Sequence, residues 1–486
     1  MTTTVEHPEW TTGTALRELV RLALPIVAMT VSRMLMTFVD FVMVSQLGTE
    51  AQAAISPATM FVFVLGCLGL GIATATQTFV AQAVGRGQPR EAGGYAWQSL
   101  YIALALGLIT APLAATTATW FTPLTQLGQH SPGMVEMEVA YVRIALWSLV
   151  PSVLCIGLEG FFNGIQRPRI ALVAILAALV VNVAGNWLFI FGHLGCPRMG
   201  VAGAALATVI GWLVRVGVLV VAILHRETDT QFGTRHSLGL RWEKLAGLLR
   251  IGGPTGVQWL VDIGSWAVFL LLIVPPLGVN TTAASNVGLQ LMHLSFMPAI
   301  GVGIALCSQV GFAIGAGRPE EAMWRARIAL ALNMIYMGAV GLLFLLAREP
   351  LIAIFNTDPL VIRAGGHVLI WAAVFQIFDA MGITYMNALR GAGDTRFMAI
   401  LMAVCCWGIF VAGGYATVAL APGWGLNGPW SMCTLYIIVV GVVLWWRWHG
   451  QRWRAIRLFQ DHGPVAGNEP AAKTAAVATS PAAGGP

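Results

Sequence analysis

Three aspartates stand inside long apolar runs of this chain: Asp40, Asp262 and Asp379. An unpaired charge in hydrocarbon costs at least about 2.5 kcal/mol, so a carboxylate kept in such a run has a partner or a task. Gln258 lies four residues before Asp262 and Gln376 three residues before Asp379, spacings that put each pair on one helix face. Asn182 and Asn186 stand one turn apart in "NVAGNWLFIFG". Carboxylate and amide oxygens gathered this way suit a small hard cation or a proton-linked hydrogen-bond network. The carboxylates could carry a proton, ligate sodium or anchor a cationic substrate. Arg33 is a further charge in an apolar run, seven residues before Asp40 and therefore on the same helix face.

The elements that position these residues follow from composition. Apolar residues make up 57% of the 486 and charged ones 10%, against roughly a quarter charged in an ordinary soluble domain. Runs long enough to cross a bilayer as a helix, about 20 residues, occur twelve times: 22–47, 52–83, 93–117, 134–164, 170–192, 201–224, 247–275, 282–313, 323–347, 364–389, 397–420 and 426–446. The reading is an all-α integral membrane protein. The segment 1–21 is polar and the first run is too long for a signal-peptide core, so a retained first span is expected. The end of the chain, rich in Ala, Pro and Gly, is expected to be disordered from about 463.

Basic residues test the span count, because cytoplasmic loops accumulate Lys and Arg. Alternate connecting segments, with the two ends of the chain, hold 21 of the 27. Twelve spans with both termini cytoplasmic follow, and the net charge of +6 requires no nucleic-acid partner.

The chain also repeats itself. "GRGQPREA" from Gly85 and "GAGRPEEA" from Gly315 share the pattern Gly-x-Gly-x-Pro-x-Glu-Ala, and Pro25 in "LALPIV" matches Pro254 in "IGGPTGV". Six spans separate the copies, which predicts two six-helix bundles in the same orientation, related by a pseudo-two-fold axis along the membrane normal. The divisions are a cytoplasmic N-terminal segment 1–21, a first lobe 22–224, an inter-lobe linker 225–246, a second lobe 247–447 and a cytoplasmic tail 448–486. The repeat spacing puts Arg33 at the depth of Asp262, so Arg33 is expected to pair with Asp40 in its own lobe, or with Asp262 across the cavity when the lobes approach. The repeated loop itself reads as a tight helix-to-helix turn.

With these residues in place, the sequence resembles the multidrug and toxic compound extrusion (MATE) family of cation-coupled efflux antiporters, NorM-like branch, from about Leu16 to Trp446. The resemblance is carried by "FVDFVMVSQLG" around Asp40, "GRGQPREA", "NVAGNWLFIFG", Pro254 with Asp262, "FQIFDA" around Asp379 and "ALRGAGDT" from Ala388. It implies a V-shaped pair of lobes that exports organic cations against H⁺ or Na⁺ at the plasma membrane, the inner membrane of a bacterium. It implies cation coupling at Asp40, Asn182, Asn186, Thr208, Asp262 and Asp379, with a possible sodium site at Asp379 or Asp40. Asp262 stands where NorM-like members usually carry a glutamate, one methylene longer. Arg33, Tyr141, Gln258, Gln376 and Asp379 are candidates for the substrate cavity.

The expected partners are small-molecule drugs and membrane lipids, with no cofactor and no structural metal, in a monomer. The seven cysteines and His293 read as packing residues. A major-facilitator carrier would place an Asp-Arg-x-Gly-Arg-Lys type of motif after span 2, and this chain does not. A lipid or glycan flippase of the same superfamily is the nearest alternative. A membrane enzyme is remoter, since neither His-Glu-x-x-His nor Gly-x-Ser-x-Gly occurs.

Overall fold

The computed structural model describes residues 12–127 and 130–459. Twelve helices are long and apolar enough to span a membrane: α1 Thr12–Ser45, α2 Thr49–Gly85, α3 Pro89–Ala115, α4 Pro132–Gly164, α5 Pro168–Phe191, α6 Val201–Leu224, α7 Trp242–Leu277, α8 Val279–Gly315, α9 Pro319–Leu346, α10 Pro359–Ala392, α11 Thr395–Leu420 and α12 Asn427–His449. Each expected run lies within or almost within one of them, and the described residues contain no strand. A lipid-exposed backbone must satisfy its own N–H and C=O groups, which is why apolar runs of this length become helices. The expected disordered segment from 463 and the first eleven residues lie outside the described residues.

Several helices run past the membrane's hydrocarbon width. At 37 residues α2 and α8 are each about 55 Å long by the 1.5 Å rise per residue. Proline opens α3, α4, α5, α9 and α10, where its missing N–H removes no helical bond. Two helices contain wide π-helical turns, Phe269–Ile273 in α7 and Cys405–Val411 in α11.

The packing of the first half is copied in the second. The pairs α1–α5, α2–α3, α2–α4, α3–α4, α4–α6 and α5–α6 recur as α7–α11, α8–α9, α8–α10, α9–α10, α10–α12 and α11–α12. The halves meet through α2–α7 and its counterpart α8–α1, and through α2–α8.

Glycines at the junction show why the repeated loop begins as it does. A Cβ on Gly85 would collide with the carbonyl of Phe312, and one on Gly315 with the carbonyl of Gln82. The first glycine of each copy thus lets α2 and α8 touch backbone to backbone. The tight turn itself falls to Gly87 and Gly317, at φ +74° and +71°, a region that L side chains rarely adopt. Deeper in, Gly71 meets the backbone of Gly256, and in the copied position Gly301 meets Val27.

Hydrogen bonds fasten the same junction. Gln77 Nε2 donates to Ile304 O and to Ser308 Oγ, both at 2.7 Å. Thr78 Oγ1 donates to Arg390 O at 3.0 Å and Gln82 Nε2 to Gly391 O at 2.9 Å. Thr30 Oγ1 lies 3.3 Å from Met297 O at mid-depth, and Arg325 pairs with Glu18 at 2.9 Å. All these bonds lie between mid-depth and the end that carries the basic loops. The segment between the halves is strapped to α3: Trp97 Nε1 donates to Thr234 O at 2.8 Å and Tyr101 OH to Leu238 O at 2.7 Å.

Candidate functional site

In the first half, α1, α5 and α6 bring four polar side chains together. Asp40 on α1 accepts from Asn186 Nδ2 on α5, and the same Nδ2 lies 3.3 Å from Asn182 Oδ1 one turn along. Thr208 on α6 places its hydroxyl 3.4 Å from the second oxygen of Asp40, while its better hydrogen bond, 2.9 Å, goes to Ala204 O. Asn182 and Asn186 are fully buried, and Asn182 Nδ2 and Asn186 Oδ1 have no hydrogen-bond partner. Tyr141 of α4 is buried as well, its hydroxyl accepting from Thr59 on α2 at 3.1 Å. These residues are scattered over 169 positions, from Asp40 to Thr208, and the packing of α1 on α5 and α5 on α6 gathers them.

In the second half, Asp262 on α7 and Asp379 on α10 lie close enough for their charges to interact. Cys406 presents its thiol to Asp262 Oδ1 at 3.9 Å from the π-helical turn of α11, a distortion that often marks working sites. Asp379 makes no hydrogen bond among the described residues. The neighbouring amides turn elsewhere. Gln258 donates to Met386 Sδ at 3.1 Å and Gln376 to Ser295 Oγ at 3.1 Å, both buried. A shared helix face therefore did not translate into a hydrogen bond: a face of a buried helix meets two or more neighbours, and each amide found a partner on another helix.

Arg33 pairs with neither Asp40 nor Asp262. Its Nη2 lies 3.3 Å from Glu159 Oε2 on α4, and Arg215 of α6 pairs with the other oxygen, Oε1. The pairing with Asp40 fails because an arginine in a helix reaches back toward its own N-terminus, away from Asp40 two turns ahead. Glu159 is not among the residues expected from the sequence, although "CIGLEGFFNG" places it alone in an apolar run, the same signal that picks out Asp40. Two of the cysteines read as packing residues also touch carboxylates, Cys406 as described and Cys155, whose Sγ donates to Glu159 Oε1 at 3.3 Å. His293 Nδ1 donates to Leu289 O at 3.0 Å, within its own helix turn, and the ring packs on Phe296.

Twelve spanning helices in two copied halves, each with its own carboxylate centre among apolar helices, define a membrane transporter. A family model described as MatE matches residues 25–188 and 263–416, one match per half. The multidrug resistance protein PmpM of Pseudomonas aeruginosa is 30% identical over 411 residues, which cover 82% of this chain and 83% of the relative. The probable multidrug resistance protein NorM of Neisseria meningitidis serogroup B is 26% identical, with 88% and 93% covered. An outward-facing multidrug resistance MATE family transporter of the MOP superfamily shares the fold at a TM-score of 0.80 and 22% identity, over 93% of this chain and 98% of that one. A MOP superfamily transporter from Pyrococcus furiosus does so at 0.79 and 21%, over 93% and 98%. The chain belongs to the MatE family of multidrug and toxic compound extrusion transporters; it is a transporter and not an enzyme.

Proposed function

We propose that the protein is a secondary active efflux antiporter that exports organic cations and other amphipathic compounds in exchange for H⁺ or Na⁺. The lobes are residues 22–224 and 247–447. The observation that carries this reading is one carboxylate centre in each half, combined with interhalf hydrogen bonds that lie between mid-depth and the basic end. Such an arrangement leaves the opposite end free to admit the coupling ion and release substrate. The basic loops orient the chain with both termini in the cytoplasm of a bacterial inner membrane, where it acts as a monomer.

In this scheme Asp40, Asn182, Asn186 and Thr208 form the coupling centre of the first lobe. Thr208 keeps its own proton on Ala204 O, so its hydroxyl oxygen is a good partner for Asp40 only when Asp40 carries a proton. A sodium ion needs oxygens instead; it would be met if the Asn186 amide turned its unpartnered Oδ1 toward Asp40. Either ion removes the negative charge that holds α1 on α5 and α6, and a ligand that binds one state better shifts the population toward it. Asp262 and Asp379 take the cationic end of the substrate.

The test is purified protein in liposomes, with uptake of a fluorescent organic cation driven by a proton gradient alone or a sodium gradient alone. One gradient should drive uptake in the wild type. Asp40→Asn and Asp379→Asn should each reduce it at least about tenfold with the protein still inserted, because Asn keeps a hydrogen-bonding group but loses the charge change. Undiminished gradient-driven uptake in both variants would remove the carboxylate mechanism.

A further inference from the structure

The first half holds a cation that the coupling scheme does not use. Two guanidinium groups share the single carboxylate of Glu159, Arg215 at Oε1 and Arg33 at Oε2, and the arginines stand within electrostatic reach of each other. The cluster therefore carries one uncompensated positive charge between apolar helices, where a charge is costly. Asp40 forms no ion pair with either arginine; its carboxylate takes the Asn186 amide instead.

The three side chains are unequal. Glu159 and Arg215 are 6% and 4% exposed, whereas Arg33 is 45% exposed. Arg215 also lies against the Trp212 ring, 5.1 Å from its centroid. Glu159 and Arg215 thus form a closed pair, with Arg33 the accessible member resting against it. Only Nη2 of Arg33 is engaged, which leaves donors of its planar fork for a second anion. A carboxylate matches that fork with two parallel hydrogen bonds. Arg33 can turn to a new partner without leaving Glu159 unpaired, because Arg215 remains on it. In the other half, Asp262 and Asp379 are acidic and form no ion pair among the described residues.

We propose that Arg33, backed by the Glu159–Arg215 pair, is an anion subsite of the first half that takes the carboxylate of zwitterionic substrates whose cationic end goes to Asp262 and Asp379. The inference rests on the efflux reading and adds to its organic cations a favoured class of compounds carrying both charges.

The experiment uses the full-length protein in liposomes with three probes: tetraphenylphosphonium, a fluoroquinolone zwitterion, and the methyl ester of that fluoroquinolone, which keeps the amine and loses the anion. Transport of none of them by the wild type sinks the efflux reading itself. Given transport, the wild type should show a KM about tenfold lower for the acid than for its ester, the scale of a charge-assisted hydrogen bond. Arg33→Gln should abolish that preference by raising the KM of the acid, and Arg33→Lys should keep part of it, since the charge stays and the fork goes. A wild type that does not distinguish acid from ester, as expected if Arg33 holds only an inorganic anion, overturns the subsite. So does an equal loss for acid and ester in both variants, which would make Arg33 a packing residue.

Discussion

Glu159 joins three side chains in the interior of the first half. It accepts from Arg33 and Cys155 and forms an ion pair with Arg215, and both it and Arg215 are buried. Removing one partner of a buried ion pair costs about 3–5 kcal/mol, because the remaining charge is left in low dielectric. Glu159→Gln should therefore lower the thermal midpoint of the detergent-purified protein sharply. Adding Arg215→Gln should restore a good part of the loss, since the second change removes the orphaned charge. A double variant no more stable than the single one would show that the pair contributes by packing alone. Asp262 has a different situation, with a weak thiol contact to Cys406. Asp262→Asn should accordingly alter the substrate profile more than the overall rate, which uptake of several organic cations would reveal; a uniform loss equal to that of Asp379→Asn would contradict it.

At the scale of elements, the contact of α2 with α7 depends on two glycines facing each other. A side chain on Gly71 would fall on the backbone of Gly256, and overpacking of this kind costs about 1–3 kcal/mol. Gly71→Val should push the helices apart and strain the bonds less than about two turns along, from Gln77 to Ile304 O and Ser308. A single cysteine at Ser308, buried in the native packing, should then become reactive toward a small thiol reagent, and transport should fall at least about tenfold. Unchanged reactivity at that position would mean that α2 and α7 can part without opening the junction. The π-helical turns of α7 and α11 belong to the same scale. Neither is legible in a run of apolar residues, since the extra residue in the turn depends on what the neighbouring helix presents.

For the whole molecule, the even number of spans places the start of α1 and the end of α12 on one side, with the basic loops. A single cysteine at Gln88, in a cysteine-free background, should be protected from an impermeant thiol reagent in intact cells. One at the exposed Leu194, in the α5–α6 connection, should react. The reverse pattern would invert the orientation drawn from the basic residues. Gly128, a natural choice for the second site, lies outside the described residues.

The sequence by itself determined what depends on local composition and on counting. Runs such as 52–83 are helices because nothing else satisfies a backbone in lipid, and the repeat of Gly85 at Gly315 announced two alike halves. The aspartates stood out because a charge in such a run is expensive wherever it sits. Glu159 carries the same signal, a lone carboxylate in an apolar run. Partners were a different matter. That Asp40 meets Asn186, Gln376 meets Ser295 and Arg33 meets Glu159 is set by which helices pack together and by a side chain's direction along its helix. Helix spacing says which residues share a face, but only the tertiary structure decides what that face touches.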